Sequence, residues 1–266
     1  PSNTSAQQCP INALGYAYER TLTVDGSKVS GTHTDFPALV KLANGNYTNR
    51  SSTFGYDIAF ADASYNKLDF DVEQFFDGND TLIAWVRIPT LDATTTIKVL
   101  YGNPNITADA STTDTWNADY EGVWHLNGNY LDATANGYNG SAEAGEEPAA
   151  VPGRIANAYE FLEDEIDVGN FNVTGDKITL SAWVYPNNTG DQRIISKADG
   201  TGDFDHAFML AQRQNYRLRG RVSTNTGEEM QSNPNVLSNA NWSYATFVYD
   251  GSDLILFHNG NEIVRE

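Results

Sequence analysis

Cysteine is all but missing from this 266-residue chain, Cys9 being its one thiol. An intrachain disulfide is therefore excluded, and packing with hydrogen bonding must hold whatever fold forms. Basic residues are scarce too, with 16 Lys+Arg against 35 Asp+Glu and a net charge of −19. That balance repels phosphate backbones and argues against nucleic acid as a partner. No apolar run approaches the roughly 18 residues of a membrane-spanning helix. The four histidines (His33, His125, His206 and His258) are scattered without ligand spacing, which argues against a transition-metal centre. A Ser-His-Asp order, a phosphate-cradling glycine loop and a Cys-His pair are missing as well.

What the chain does have is turns. Asn-Gly occurs at 44, 127, 136, 139 and 259, and Asp-Gly at 25, 77, 199 and 250. These pairs accept the positive φ angles of tight hairpins. Between them lie short alternating runs such as "TLIAWVRI", "TIKVLY", "ITLSAWVY" and "YATFVY", and no long run has helical spacing. Hydrophobic residues make up 40% and aromatics 12%, enough for packed cores. The pattern predicts an all-β chain of two tandem antiparallel β-sandwiches. Residues 1–14 read as a flexible tail, 15–103 as the first sandwich, 104–120 as a polar linker and 121–266 as the second sandwich.

Nine Asn-x-Ser/Thr triplets stand at Asn3, Asn46, Asn49, Asn79, Asn105, Asn139, Asn172, Asn187 and Asn241. With 27 Asn in the chain, chance gives about four, so the excess supports a secreted or cell-surface glycoprotein. Each triplet permits a glycan and does not prove one.

Two resemblances follow from longer blocks. "DIAF", "AWVRIP" and "LYGN", within about residues 18–103, resemble a prokaryotic domain of unknown function that stands before laminin-G-like modules in surface proteins. "GVWHLNG", "PGRIANAYEF", "ITLSAWVYP", "RIISK" and "NWSYATFVYDGSDLILFHNG" resemble the laminin-G-like, concanavalin A-like jelly roll over about residues 121–266. The second resemblance implies a jelly roll with further strands after the Asn259-Gly260 hairpin. The sequence stops at Glu266, which raises two expectations: a cut piece, the favoured one, or a sandwich completed by a neighbour's strand.

Three stretches are candidate sites. "EDEIDVGNF", 163–171, puts Glu165 and Asp167 two apart, on one face if extended. Laminarinases and lichenases, which share the jelly-roll fold, carry Glu-x-Asp-x-x-Glu there, and this chain has Asn170 in place of the second Glu. An amide cannot protonate a leaving group, so the stretch reads as a solvated acidic strand. "QRQNYRLRGRV", 212–222, lines up Arg217, Arg219 and Arg221. Guanidinium forks suit acidic glycans, but pairing with the protein's own carboxylates is the favoured reading. "LDATANGYNG", 131–140, offers the oxygens of Asp132, Asn136 and Asn139 to a structural calcium, against a plain hairpin. Of the tryptophans, Trp85, Trp183 and Trp242 are expected in cores, and Trp116, in the linker, is the one placed for exposure.

The resulting expectation is a non-catalytic extracellular or cell-surface binding and adhesion protein that recognises glycans, with other surface proteins as further partners. A structural subunit of a filament, sheath or surface layer, assembled by strand addition, is the alternative. A glycoside hydrolase is a distant third.

Overall fold

A computed structural model of the chain describes residues 7–8, 15–43, 54–76, 78, 81–198, 200, 206–223 and 228–266. The expected tail 1–14, apart from residues 7–8, and the triplets at Asn3, Asn46, Asn49 and Asn79 lie outside the described residues. The fold is all-β with antiparallel sheets, as the alternating runs require. The strands are β1 (Gln7–Gln8), β2 (Tyr18–Thr23), β3 (His33–Leu42), β4 (Ala59–Asp62), β5 (Phe70–Phe76), β6 (Thr81–Leu91) and β7 (Thr96–Tyr101). They continue with β8 (Ala149–Pro152), β9 (Asn157–Glu160), β10 (Ile178–Val184), β11 (Gln192–Ala198) and β12 (His206–Arg213). β13 (Arg217–Val222), β14 (Glu228–Gln231), β15 (Ser243–Tyr249), β16 (Leu254–His258) and β17 (Asn261–Arg265) complete the series.

The chain divides into two compact units, Pro1–Gly169 and Asn170–Glu266. In the first, sheets ordered β1-β2-β7-β4 and β3-β6-β5 enclose one core. Alternation on β6 turns Leu82, Ala84, Val86 and Ile88 into that core, where they meet Phe60, Phe70, Val99 and Tyr101. Ile83, Trp85 and Arg87 take the opposite face. On β5 a bulge falls between Val72 and Gln74, leaving Glu73 as the extra residue. The bulge shifts the alternation by one, so Phe75 turns inward while Glu73 stays with Asp71.

The unit boundary differs from the expected one. The segment 104–120 is not a solvated tether. Trp116 is only 6% exposed, its indole N–H donates to the Asp71 carboxylate at 3.1 Å, and Thr112 N–H donates to the Phe70 carbonyl at 2.9 Å. The Asn, Thr and Asp of this stretch cap short turns, as Thr112 does for Asp114 N–H, so polar composition there signals turn chemistry. Residues 121–169 also group with the first unit, including the β8–β9 hairpin.

In the second unit, sheets ordered β10-β15-β16-β17 and β11-β12-β13-β14 pack over Leu180, Phe208, Leu210, Leu218, Met230, Phe247 and Leu256. The β16–β17 turn has Asn259 at φ 51° and Gly260 at φ 79°, the pair of positive angles that its Asn-Gly sequence anticipates. Gly220, in the middle of β13, exists for closeness: a Cβ there would lie 2.0 Å from the Phe247 ring.

Candidate functional site

The acidic stretch forms no strand. It holds a single antiparallel bridge, Ser141 to Asp167, with Glu165 and Asp167 exposed and Ile166 and Val168 half-buried. One Asp167 oxygen accepts Gly169 N–H at 2.7 Å, a turn contact. The inward and outward alternation matches expectation, but the pairing stops at that one bridge and the expected strand does not form.

The arginine ladder forms on one face of β13, opposite Leu218 and Gly220. Arg219 donates to Glu229 on β14 at 2.5 Å, and Arg221 donates to the same oxygen. Arg217 donates to the Ser232 carbonyl at 2.8 Å. Burial alone would raise the Glu229 carboxyl, but the hydrogen bond and charge of Arg219, with Arg221 behind it, hold it below the usual carboxylate range. Each of the three arginines thus makes a contact within its own sheet, in line with the favoured reading over the acidic-glycan one.

The 131–140 loop does bring Asp132 and Asn139 together, but the donor set does not fit calcium. Asp132 is buried, and its two oxygens accept N–H from Val123 (3.0 Å), Thr134 (3.0 Å) and Tyr138 (2.9 Å) and the Thr134 hydroxyl (2.8 Å). Asn139 Oδ1 accepts Asp132 N–H at 2.9 Å, and the Asn136 amide donates to the Tyr120 and Glu121 carbonyls. A calcium ligand needs oxygen lone pairs aimed at a common point, and here they point at protein donors. Asp132 is the hub of a turn.

The tryptophan expectations reverse. Trp116 is buried, whereas Trp183 is 38% exposed and Tyr185 48%. β10 turns Ile178, Leu180 and Val184 toward the core and leaves Thr179, Ser181 and Trp183 on the other face. β15 does the same, with Ala245 and Phe247 inward and Tyr244 outward. The register places Trp183 opposite Tyr244, and their rings lie 5.2 Å apart. One step on, just past the paired positions, Tyr185 and Trp242 repeat the arrangement at 5.3 Å. Tyr244 also donates its hydroxyl to Ser181 Oγ at 3.0 Å, which fixes its ring. The result is a two-by-two block of aromatic rings on the outer face of the sheet. The signal was present in "ITLSAWVYP": Trp183 and Tyr185 alternate with the apolar set and share parity with Thr179 and Ser181, the polar face.

A second cluster lies in the first unit, where the outer side of β5 and β6 meets the 112–127 segment. His125 Nε2 is 2.7 Å from Asp71 Oδ2, and its Nδ1 is 3.6 Å from Glu73 Oε2. Trp85 donates its indole N–H to the same Glu73 oxygen at 2.8 Å, and the Asn127 amide donates to the Glu73 carbonyl at 2.7 Å. Trp85 and Trp116 ring centroids are 5.4 Å apart. Burial pushes the Glu73 carboxyl up, only partly offset by His125 and Trp85. Burial would lower His125, but its hydrogen bond and charge pairing with Asp71, and then Glu73, raise it above the ordinary imidazole value. Asp71 and Glu73 are legible as a strand pair in "FDVEQF"; their partner 54 residues away is not.

Comparison with known families agrees with both resemblances. Residues 55–131 match a domain of unknown function (DUF2341), and residues 162–265 match the concanavalin A-like lectin/glucanases superfamily. The two matches fall in that order along the chain. The His125 cluster falls in the first match and the aromatic block in the second. No curated protein matches the chain. Among solved structures, residues 221–444 of an S-layer domain-containing protein from Clostridium thermocellum align at 16% identity. That alignment covers 55% of this chain and 71% of the other, with a TM-score of 0.32, too low to bear on the fold or role of this chain.

Proposed function

We propose that this chain is a non-catalytic binding and adhesion module of an extracellular or cell-surface protein, and that it recognises glycans. The aromatic block of Trp183, Tyr185, Trp242 and Tyr244 carries the reading. Two tilted ring pairs, with Trp183 and Tyr185 exposed and Trp242 and Tyr244 half-buried behind them, offer an apolar surface with little ordering entropy left to lose, which suits the C–H faces of sugar rings. The concanavalin A-like superfamily match is compatible with a binding role. Asn105, Asn139 and Asn172 are exposed, as glycan acceptors in a secreted protein would be. Glu165 and Asp167 bear no resemblance to an acid/nucleophile pair held across a cleft, which supports the non-catalytic reading.

A polysaccharide array probed with the chain tests this. Binding to at least one extracellular polysaccharide, lost in a Trp183→Ala/Tyr185→Ala double variant, is the expected result. Absence of affinity for any polysaccharide overturns the reading.

A further inference from the structure

The block's surroundings narrow the ligand. We infer that the ligand is an uncharged sugar chain of at least two adjoining rings, lying along β10 and β15 over the two aromatic pairs; this inference rests on the glycan-binding reading above.

Three observations lead there. The first is spacing. The pairs Trp183–Tyr244 and Tyr185–Trp242 are successive steps of one face, two residues apart along each strand. Two residues of strand span about 7 Å, so the block offers two neighbouring stacking stations in line, and a single ring fills half of it. The second is the rim. The ladder neighbours on the same face are Ser181 and Thr246, and the turns at that end hold Asn187, Asn241 and Asn259. The turns are tied together, with Ala240 N–H donating to the Pro186 carbonyl at 2.8 Å and Asn259 Oδ1 accepting Tyr244 N–H at 2.8 Å. Hydroxyls and amides are the partners that sugar hydroxyls need, and they carry no charge.

The third is the placement of cations. No Lys or Arg is among those rim residues. The nearby His258 is held below the ordinary imidazole value by burial, which disfavours its charged form. Arg265, on β17 of the same sheet, is held by Asp253 at 2.9 Å and Glu262 at 2.7 Å. On the other sheet, Arg219 and Arg221 share Glu229. In a chain of net charge −19, a sulfated or uronic-acid polymer would approach this face against repulsion, and none of the face and rim residues named above is a cation. A neutral polymer meets no such barrier.

Isothermal titration of the whole chain decides the matter, using neutral hexasaccharides (β-linked glucose, mannose and N-acetylglucosamine) and an acidic one (hexagalacturonate). At least one neutral hexasaccharide should bind, its monosaccharide at least tenfold more weakly. Trp183→Ala and, separately, Tyr185→Ala should each weaken it about tenfold, the scale of one lost stacking contact. Both side chains point to solvent from the sheet surface, and a circular dichroism spectrum checks that each variant is folded. Preference for hexagalacturonate, lost in Arg219→Gln and untouched in Trp183→Ala, overturns this inference and leaves the glycan-binding reading standing. Neutral binding that neither aromatic variant weakens overturns the placement. Binding of neither class overturns both.

Discussion

Replacing His125 by Gln should release the 112–127 segment from the β5–β6 face. The imidazole has a carboxylate near each nitrogen, Asp71 at 2.7 Å and Glu73 at 3.6 Å, and both favour its protonated form. The Glu73 side chain is only 3% exposed, and Asp71 and His125 are 16% and 17% exposed. Removing the cation leaves two poorly solvated carboxylates facing neutral donors, the glutamine amide and the indole N–H groups of Trp85 and Trp116, with the more distant Lys41 charge acting on Glu73. Breaking a buried pair from one side costs about 3–5 kcal/mol, and the residual exposure here points to the lower end. At about 3 kcal/mol, the opening equilibrium of the segment rises roughly a hundredfold. Hydrogen exchange read by mass spectrometry, corrected for intrinsic rates, reports it as lost protection in peptides spanning 112–127.

The wild-type chain should show the same loss with pH. His125 has a folded-state proton affinity above its unfolded one. Its contribution is therefore fully present below the unfolded value of about 6.5 and disappears as pH rises through the raised folded value. Glu73, also raised, acts in the same direction. Protection in the wild type should fall toward the level of His125→Gln as pH rises above the ordinary imidazole value of about 6.5. If the variant is as well protected as the wild type at pH 6, the clamp is not ionic and the reasoning fails.

Gly220→Ala should lower the stability of the second unit by about 2 kcal/mol, since its new Cβ would overlap the Phe247 ring, and the thermal transition of that unit should drop. Asp132→Ala should cost about 3 kcal/mol by leaving buried N–H groups of the 123–138 turn unpaired, whereas EDTA should leave the melting temperature unchanged; a fall with EDTA would restore calcium to the loop. A Glu165→Gln/Asp167→Asn double variant should bind every polysaccharide as the wild type does, and any hydrolytic activity lost in it would reopen the enzymatic reading.

Much of the architecture was legible in the residues alone. Period-two alternation in "TLIAWVRI" and "YATFVY" and the Asn-Gly and Asp-Gly turns dictate short antiparallel strands, because only one face of each can be buried. Asn259-Gly260 demanded its hairpin for the same local reason. The Arg217, Arg219 and Arg221 ladder was legible too, since strand parity is a local property.

Tertiary structure decided the rest. Composition could not tell that the polar 104–120 stretch is folded: turn-capping Asn, Thr and Asp look like linker residues until Trp116 meets Asp71. A tryptophan in an apolar run looks like core, and only the pairing of β10 with β15 shows which face Trp183 occupies. The oxygens of Asp132 could serve a cation or a turn equally well, and the positions of Val123, Thr134 and Tyr138 N–H settle which. The His125 clamp joins residues 54 apart in sequence. Local chemistry chooses the elements, but long-range packing chooses what each polar or aromatic side chain faces, and that is where binding chemistry resides.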